Sequence, residues 1–309
     1  MNSLLEIKSI TKKYGDFTAL NSVSLQIPKG SIFGLLGPNG AGKTSLIRII
    51  NQITLPDSGE IILDGKKLVP SDVQHIGYMP EERGLYKSMK VGEQCLYLAQ
   101  LKGMSKEAAK KQLDYWFDKL EIQGWWNKKI EELSKGMAQK IQFVVTVLHQ
   151  PKLLIFDEPF SGFDPVNANL IKDEILELKQ KGATIIFSSH RMESVEELCD
   201  DIALIHKSNK LLDGKLMDIK KQFKTNLYEI GLITHNETLV LKELSSQFSI
   251  QKTNFKSLQN ELQLSVSLGT FSPNELLKVL LTFGEVTHFM EKIPSVNDIF
   301  IETVTNNSL

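Results

Sequence analysis

The sequence IFGLLGPNGAGKTS, residues 32–45, decides the fold of this chain. Its first five residues are strand-like, the loop fits the pattern GxxxxGK[ST], and the run SLIRII that follows is typical of a helix. In such a loop, small residues let successive backbone N–H groups turn toward a phosphate, while Lys43 supplies positive charge. The Thr44 hydroxyl can ligate Mg²⁺. The residues predicted to bind nucleotide are Gly37, Pro38, Asn39, Gly40, Ala41, Gly42, Lys43, Thr44 and Ser45.

An acidic pair follows a second apolar run, LLIFDEP at residues 153–159. Such a run is typical of a buried strand, and α/β sheets bind ligands at the carboxyl ends of their strands. Asp157 would hold Mg²⁺ directly or through water, and Glu158 would polarise the attacking water as general base. An Asp-Glu pair after a strand is more often a charge pair at a helix N-terminus. Its position about a hundred residues after a phosphate loop favours the metal-and-base interpretation.

The order of elements around these two motifs predicts an α/β fold. The first 80 residues alternate strand-like runs with turn signals, and residues 91–120 carry apolar side chains at helical spacing, with Ser105 as a cap. From Leu153, strands and helices alternate, which implies a parallel sheet with crossover helices. We therefore predict one domain over residues 1–220, with a helical subdomain at about 88–148.

Composition limits the classes of protein that remain. The chain has 309 residues, enough for about two domains of about 150 residues each, and a net charge of −1 that gives no sign of a nucleic-acid partner. Two cysteines, Cys95 and Cys199, suggest reduced thiols rather than a disulfide framework. Every apolar run is much shorter than the ~20 residues that a bilayer requires. We therefore expect neither a membrane span nor secretion.

Residues 221–309 predict a second, α+β domain. The pattern indicates strands at 227–233, 251–256, 261–268 and 285–291, with helices at 237–248 and 273–283. The order β-α-β-β-α-β is that of a ferredoxin-like fold. Ser272 and Glu275 form a capping box with a proline at the first helical position, and a final helix is expected from Ser295 to about Thr303.

The two nucleotide motifs alone leave kinases, GTPases and helicases open, and the stretch ELSKGM at residues 132–137 narrows the choice. It resembles the LSGGQ signature of ABC ATPases and lies about twenty residues before the acidic strand. In that family the signature of one subunit caps the γ-phosphate bound by its partner, a role that the resemblance assigns to Ser134 and Gly136. Ser134 is also a natural N-cap for a helix over 135–148, and both roles can hold together.

Three further residues match motifs of the same family over about residues 1–220. Tyr14 resembles the aromatic residue that stacks on adenine, and Asp164 ends a segment, SGFD, that resembles the D-loop crossing the dimer interface. His190 resembles the switch histidine that contacts the γ-phosphate. These roles rest on the resemblance, because a lone Tyr is more often a packing residue and a lone His is usually structural.

The chain departs from the family pattern at three positions. Glu81 stands where the Q-loop has glutamine, and in the signature Lys135 replaces a glycine and Met137 a glutamine. A carboxylate at position 81 can still coordinate Mg²⁺, so Glu81 counts among the expected nucleotide and metal contacts. The segments PEERGLY and LSKGM resemble a branch of ABC exporter ATPases that includes those likened to sodium-extruding systems. That branch carries a C-terminal extension of similar size.

The resemblance implies a P-loop ABC cassette followed by a ferredoxin-like domain: the ATP-hydrolysing subunit of a transporter, using ATP and Mg²⁺. It would power export through a separate membrane permease, peripheral at the cytoplasmic face of the cell membrane. A single cassette cannot complete an ATP site, so we expect a homodimer, or a heterodimer with a second cassette, on ATP binding. Two alternatives stay open: a soluble ABC ATPase in translation or DNA repair, and a nucleotide-switched sensor whose C-terminal domain is the working part.

Overall fold

The computed structural model describes residues 3–82, 84–189, 191–255, 257 and 260–307, and it divides into two compact units. The first contains the residues up to Met217 together with those from Phe300 onward, and the second is Asp218–Ile299. The first unit combines a mixed sheet with helices, and the second is a small α+β unit. The predicted fold class is confirmed.

The secondary structure of the first unit follows the predicted alternation. Its strands are β1 (Ser3–Tyr14), β2 (Phe17–Pro28), β3 (Ile32–Leu36), β4 (Ser58–Leu63), β5 (Lys66–Lys67), β6 (Ile76–Met79), β7 (Leu153–Asp157), β8 (Thr184–Ser188), β9 (Asp201–His206) and β10 (Asn209–Lys215). Its helices are α1 (Lys43–Ile50), α2 (Val91–Leu101), α3 (Lys106–Lys119), α4 (Lys135–Val147), α5 (Pro165–Gln180) and α6 (Met192–Leu198). Helix α7 (Leu216–Gln222) includes the point at which the units divide.

A six-stranded sheet in the order β10-β9-β3-β8-β7-β6 forms the centre of the first unit. All neighbouring strands are parallel except β10, which pairs antiparallel with β9. The carboxyl ends of parallel strands meet at one edge, where ligands of such sheets bind. The loop after β3 and the acidic pair at the end of β7 therefore share an edge.

A second, antiparallel sheet in the order β2-β1-β4-β5 covers the first. Buried aliphatic side chains from both sheets and from α1 form one core, including Leu5, Ile27, Ile47 and Ile155. Strands β1 and β2 are joined by a two-residue turn, and Tyr14 pairs with Phe17 directly across it. Residues opposite each other in an antiparallel pair lie on the same face of the sheet. The two rings therefore lie on one face of this hairpin.

The helical segment between β6 and β7 consists of α2, α3 and α4, and α2 packs against both of the others. The predicted caps form: the hydroxyl of Ser105 accepts a hydrogen bond from the Ala108 N–H, and Ser134 accepts one from the Met137 N–H, each at 3.2 Å. The Phe143 ring of α4 stacks on Phe156 of β7 with 5.7 Å between centroids. This stack links the helical segment to the central sheet.

The second unit has the predicted β-α-β-β-α-β order. Its elements are β11 (Leu227–Ile233), α8 (Glu237–Gln247), β12 (Ser249–Lys252), β13 (Leu262–Ser267), α9 (Pro273–Leu280) and β14 (Glu285–Glu291). Helix α10 (Val296–Asn306) follows and, like α7, includes a point at which the units divide. The strands form an antiparallel sheet in the order β12-β13-β11-β14, as in a ferredoxin-like fold. The capping box predicted at Ser272 and Glu275 forms, with the Ser272 N–H 2.7 Å from the Glu275 carboxylate.

One strand of this unit is shorter than its sequence pattern indicates. The strand predicted at 251–256 ends at Lys252, and Lys256 lies outside the described residues. Beyond it, the Gln263 amide binds the backbone of Phe255 from both sides, accepting from its N–H at 2.8 Å and donating to its carbonyl at 3.2 Å. These side-chain bonds take the place of the strand ladder, which explains the early end.

Two expectations from composition can be compared with the structure. Both cysteines, Cys95 and Cys199, are buried free thiols, and burial raises the pKa of each above its usual value. In the parts of the chain that the structure describes, no helix has the length and apolar character needed to cross a membrane.

Candidate functional site

The loop between β3 and α1 is shaped by glycines at positions that no other residue fits. Gly37 and Gly42 have φ of 147° and 114°, in the left-handed half of conformational space. A Cβ at Gly37 would overlap the carbonyl of Ile205, and one at Gly42 would overlap the carbonyl of Ala19. The neighbouring strand and hairpin therefore hold the loop in the curved form that turns N–H groups toward a phosphate.

Lys43 is the first residue of α1 and is only 9% exposed. Its Nζ donates to the carbonyls of Gly37 at 2.7 Å and Pro38 at 3.1 Å, so the side chain folds back over the loop. Burial lowers the pKa of its ammonium group, while the negative charges of Asp157 and Glu158 oppose that shift. The positive charge is therefore placed between the phosphate loop and the acidic pair.

Asp157 ends β7 beside β8, and Glu158 follows it directly. Asp157 pairs with Ser188, and the Glu158 N–H donates to the Ser188 carbonyl at 2.9 Å. Glu158 is 9% exposed and has a φ of 51°, a left-handed conformation that is uncommon for a residue with a side chain. Such strain is often stored at functional sites, and here it sets the direction in which the buried carboxylate leaves the strand.

The three predicted metal contacts come together. Thr44, Glu81 and Asp157 line one cavity of about 430 Å³. Burial raises the pKa of Asp157 above its usual value, and the negative charges of Glu158 and Glu81 add to that rise. A divalent cation would favour the charged form of the carboxylate and so would oppose this rise.

The donor set at this cavity fits Mg²⁺. Within the described residues, no three His, Cys, Asp or Glu side chains form a cluster that could hold a metal ion. Mg²⁺ is ordinarily bound by one or two carboxylates together with waters and substrate phosphates, rather than by a cage of side chains. A hydroxyl from Thr44 and carboxylates from Asp157 and Glu81 meet that requirement.

A second cavity, of about 150 Å³, lies over the phosphate loop, and Phe17 rather than the predicted Tyr14 is among its lining residues. Phe17 is 58% exposed and Tyr14 45%, and the Tyr14 ring has the Lys12 ammonium 5.5 Å from its centre. Sequence analysis did not single out Phe17, and the role expected of Tyr14 stays a prediction.

The signature and D-loop segments contact each other within the chain. The aliphatic stem of Lys135 packs where a Cβ on Gly162 would lie, and a Cβ on Gly136 would be 3.5 Å from the Gly162 carbonyl. Asp164 is the N-cap of α5, and its carboxylate accepts from the Asn167 N–H at 3.0 Å, a bond that lowers its pKa. Ser134, Gly136 and Asp164 line neither of the two cavities that contain Thr44.

His190, the predicted switch residue, lies outside the described residues. The residue before it, Ser189, is 1% exposed, and its hydroxyl donates to the Glu158 carboxylate at 3.2 Å. Sequence analysis did not single out Ser189, because a serine at the end of a strand carries no distinctive pattern.

Comparisons with known proteins agree with this geometry. Residues 20–161 match the family described as ABC transporter, and residues 214–304 match the family described as ATP-binding protein DrrA1-3-like, C-terminal domain. A solved structure described as the ATP binding subunit of an ABC transporter superposes with a TM-score of 0.67 at 32% identity, covering 72% of this chain and 93% of that one.

Two relatives from Bacillus subtilis extend the likeness. The linearmycin resistance ATP-binding protein LnrL is 35% identical over 70% of each chain. The uncharacterized ABC transporter ATP-binding protein YhaQ is 43% identical over 97% of this chain and 98% of its own length. Because that likeness runs through almost the whole of both proteins, this chain belongs to the ABC transporter ATP-binding proteins, the ATP-hydrolysing subunits of these transporters.

Proposed function

We propose that this chain hydrolyses ATP at the cavity lined by Thr44, Glu81 and Asp157, and that the energy drives export through a separate membrane permease. The observation that carries the proposal is the convergence of Lys43, Thr44, Asp157 and Glu158 at one edge of the central sheet. Those side chains supply the charge, metal ligands and base that phosphoryl transfer to water requires.

The chemistry assigns one task to each group. The loop N–H groups and Lys43 hold the β- and γ-phosphates, and Mg²⁺ at Thr44 and Asp157 would neutralise charge on the same phosphates. Glu158 accepts a proton from water while the water oxygen bonds to the γ-phosphorus. The bond from that phosphorus to the β–γ bridging oxygen then breaks, and ADP leaves.

The proposed site is completed by a second cassette. Ser134 caps a 13-residue helix, α4, that has no acidic residue in its first turn, so its positive end suits an anion. Ser134 is exposed and lines neither cavity containing Thr44, which favours action on nucleotide held by another subunit. Homodimers and heterodimers with a second cassette both satisfy this arrangement, with Asp164 at the interface.

We place the permease contact beside Glu81, at the cytoplasmic face of the membrane. Exposed apolar side chains gather in this part of the chain: Ile53 lines the same cavity as Glu81, and the Tyr86 and Tyr97 rings pack edge-on with 6.4 Å between centroids. Exposed aromatic groups of this kind often mark an interaction surface. The resistance function in the name of LnrL supports export as the direction. Residues 221–309 would then be an accessory domain that supports the dimer or the permease contact.

Co-purification tests this assignment. The Glu158→Gln variant would be tagged, purified gently from native membranes with ATP and Mg²⁺, and its partners identified by mass spectrometry. We expect a stoichiometric polytopic membrane protein. Recovery of ribosomes, nucleic acid or soluble protein alone would contradict the transport assignment and favour a soluble ATPase or a sensor.

Phe17 supplies a prediction about base recognition. If its ring contacts adenine, Phe17→Ala should weaken ATP binding by about 5- to 150-fold, since stacking of a base on an aromatic ring is worth about 1–3 kcal/mol. Binding of inorganic tripolyphosphate, which has no base, should be unchanged, and Phe17→Trp should restore ATP affinity. Calorimetric titration of each ligand checks this. Equal losses for both ligands, or a loss of ATP affinity in Tyr14→Ala but not in Phe17→Ala, would refute it.

A further inference from the structure

The hydroxyl of Ser189 makes two hydrogen bonds in the interior of the first unit. It donates to Oε2 of Glu158 at 3.2 Å, and it accepts from the N–H of Arg191 at 3.1 Å. Ser189 is 1% exposed and follows the last residue of β8. A serine hydroxyl has a single proton, so donation by Arg191 to its oxygen leaves that proton directed at Glu158.

The carboxylate at the other end of this bond is the group assigned to the attacking water. The backbone of Glu158 is fixed by its own N–H bond to the Ser188 carbonyl, but its side chain has further rotatable bonds beyond the strand. A base must lie within about 2.6–3.2 Å of the proton that it takes, so a small rotation of the carboxylate changes the rate. A buried donor on one carboxylate oxygen restricts that rotation.

We propose that Ser189 is a positioning residue for hydrolysis, which holds the Glu158 carboxylate in the orientation that receives a proton from water. This inference rests on the proposed role of Glu158 as general base. In this role Ser189 acts through its hydrogen bond to Glu158. Its bond to Arg191, the N-cap residue of α6, also links the base to the segment that begins that helix.

The test compares the steady-state kinetics of full-length variants. Ser189→Ala removes the donor, and we expect kcat to fall by about 10- to 100-fold while KM for ATP changes less than twofold, because nucleotide binding depends on the phosphate loop. Ser189→Thr retains a hydroxyl and should recover most of kcat. If Ser189 had only a structural role, both substitutions would lower kcat, whether or not the new side chain carries a hydroxyl.

Ser31→Ala is the matched control. Ser31 is also buried, and its hydroxyl also makes a hydrogen bond, to the Pro28 carbonyl at 2.8 Å, but it lies before β3, at the end of the strand remote from the phosphate loop. Loss of the Ser31 hydroxyl should lower the melting temperature to the same extent as Ser189→Ala does, without changing kcat. Ser189→Ala with a kcat within twofold of the unmodified protein would overturn the proposal, as would equal losses of kcat in Ser189→Ala and Ser31→Ala.

Failure of the proposed role of Ser189 can be distinguished from failure of the proposed function. If Glu158 is not the base, Glu158→Gln will hydrolyse ATP at a rate near that of the unmodified protein. If Glu158 is the base and only the role of Ser189 is wrong, Glu158→Gln will be inactive while Ser189→Ala remains fully active. Should Ser189→Ala fail to fold, Ser189→Cys provides the second variant, because a thiol is a weak donor and should give the same fall in kcat.

Discussion

Glu158→Gln should lower the rate of ATP hydrolysis by about 100- to 10,000-fold, the usual contribution of a general base. The amide keeps the size of the side chain but cannot accept the proton of the attacking water. ATP affinity should change little, because Lys43 and the loop N–H groups hold the phosphates. The ATP-bound dimer should therefore accumulate, and size-exclusion chromatography with and without ATP measures it.

The control for this variant is Glu174→Gln. Glu174 is also a buried glutamate, but it lies in α5 and forms an ion pair with Lys119 at 2.5 Å. We expect its replacement to reduce stability without slowing hydrolysis, since Lys119 loses one of its two carboxylate partners and keeps Glu177, at 2.6 Å. A Glu158→Gln variant that stays monomeric with ATP, or turns over normally, would count against the proposed mechanism.

Lys43→Ala should weaken ATP binding by about 10- to 150-fold, because charge-assisted hydrogen bonds to phosphate oxygens contribute about 1.5–3 kcal/mol. The change also removes the bonds from Nζ to the Gly37 and Pro38 carbonyls. Calorimetric titration with ATP and Mg²⁺ measures the affinity, and a thermal melt reports the structural cost separately.

Lys102→Ala is the matched control, because it removes a similar pair of hydrogen bonds at a site away from the nucleotide. The Lys102 Nζ likewise donates to two backbone carbonyls, those of Val73 and Ile76, each at 2.8 Å, and burial likewise lowers its pKa. We expect lower thermal stability with unchanged ATP affinity. If Lys43→Ala and Lys102→Ala lose affinity equally, Lys43 has no special role at the phosphates.

Glu81 departs from the family pattern, which has glutamine at this position. Glu81 lines the same cavity as Thr44 and Asp157, so a negative charge stands where an amide is usual. That charge contributes to the raised pKa of Asp157, and it would be offset by a divalent cation. Replacing Glu81 with glutamine removes the negative charge but keeps the size of the side chain. Made in the Glu158→Gln background, this exchange would therefore separate the effect of the charge on nucleotide binding from the effect of the position of the side chain.

Sequence by itself determined the features that depend on neighbouring residues. The phosphate loop is contiguous, and its glycines and lysine are recognisable before any contact is known. The caps at Ser105 and Ser134 likewise join groups three residues apart, and the element order of the second unit follows from periodicity and turn residues. Local geometry is set by short-range sterics and hydrogen bonding, so pattern is sufficient to predict it.

Tertiary structure alone decided the contacts between distant side chains that no sequence motif marks. Phe17 rather than Tyr14 lines the loop cavity because of how the hairpin lies against the phosphate loop, and Ser189 reaches Glu158 across 31 residues of chain. Strand β12 ends at Lys252 because the Gln263 amide of β13 binds the backbone of Phe255 beyond it. Such contacts depend on strand order, register and packing of the whole unit. The sequence therefore indicates the chemistry of this protein, and only the folded chain shows which side chains position it.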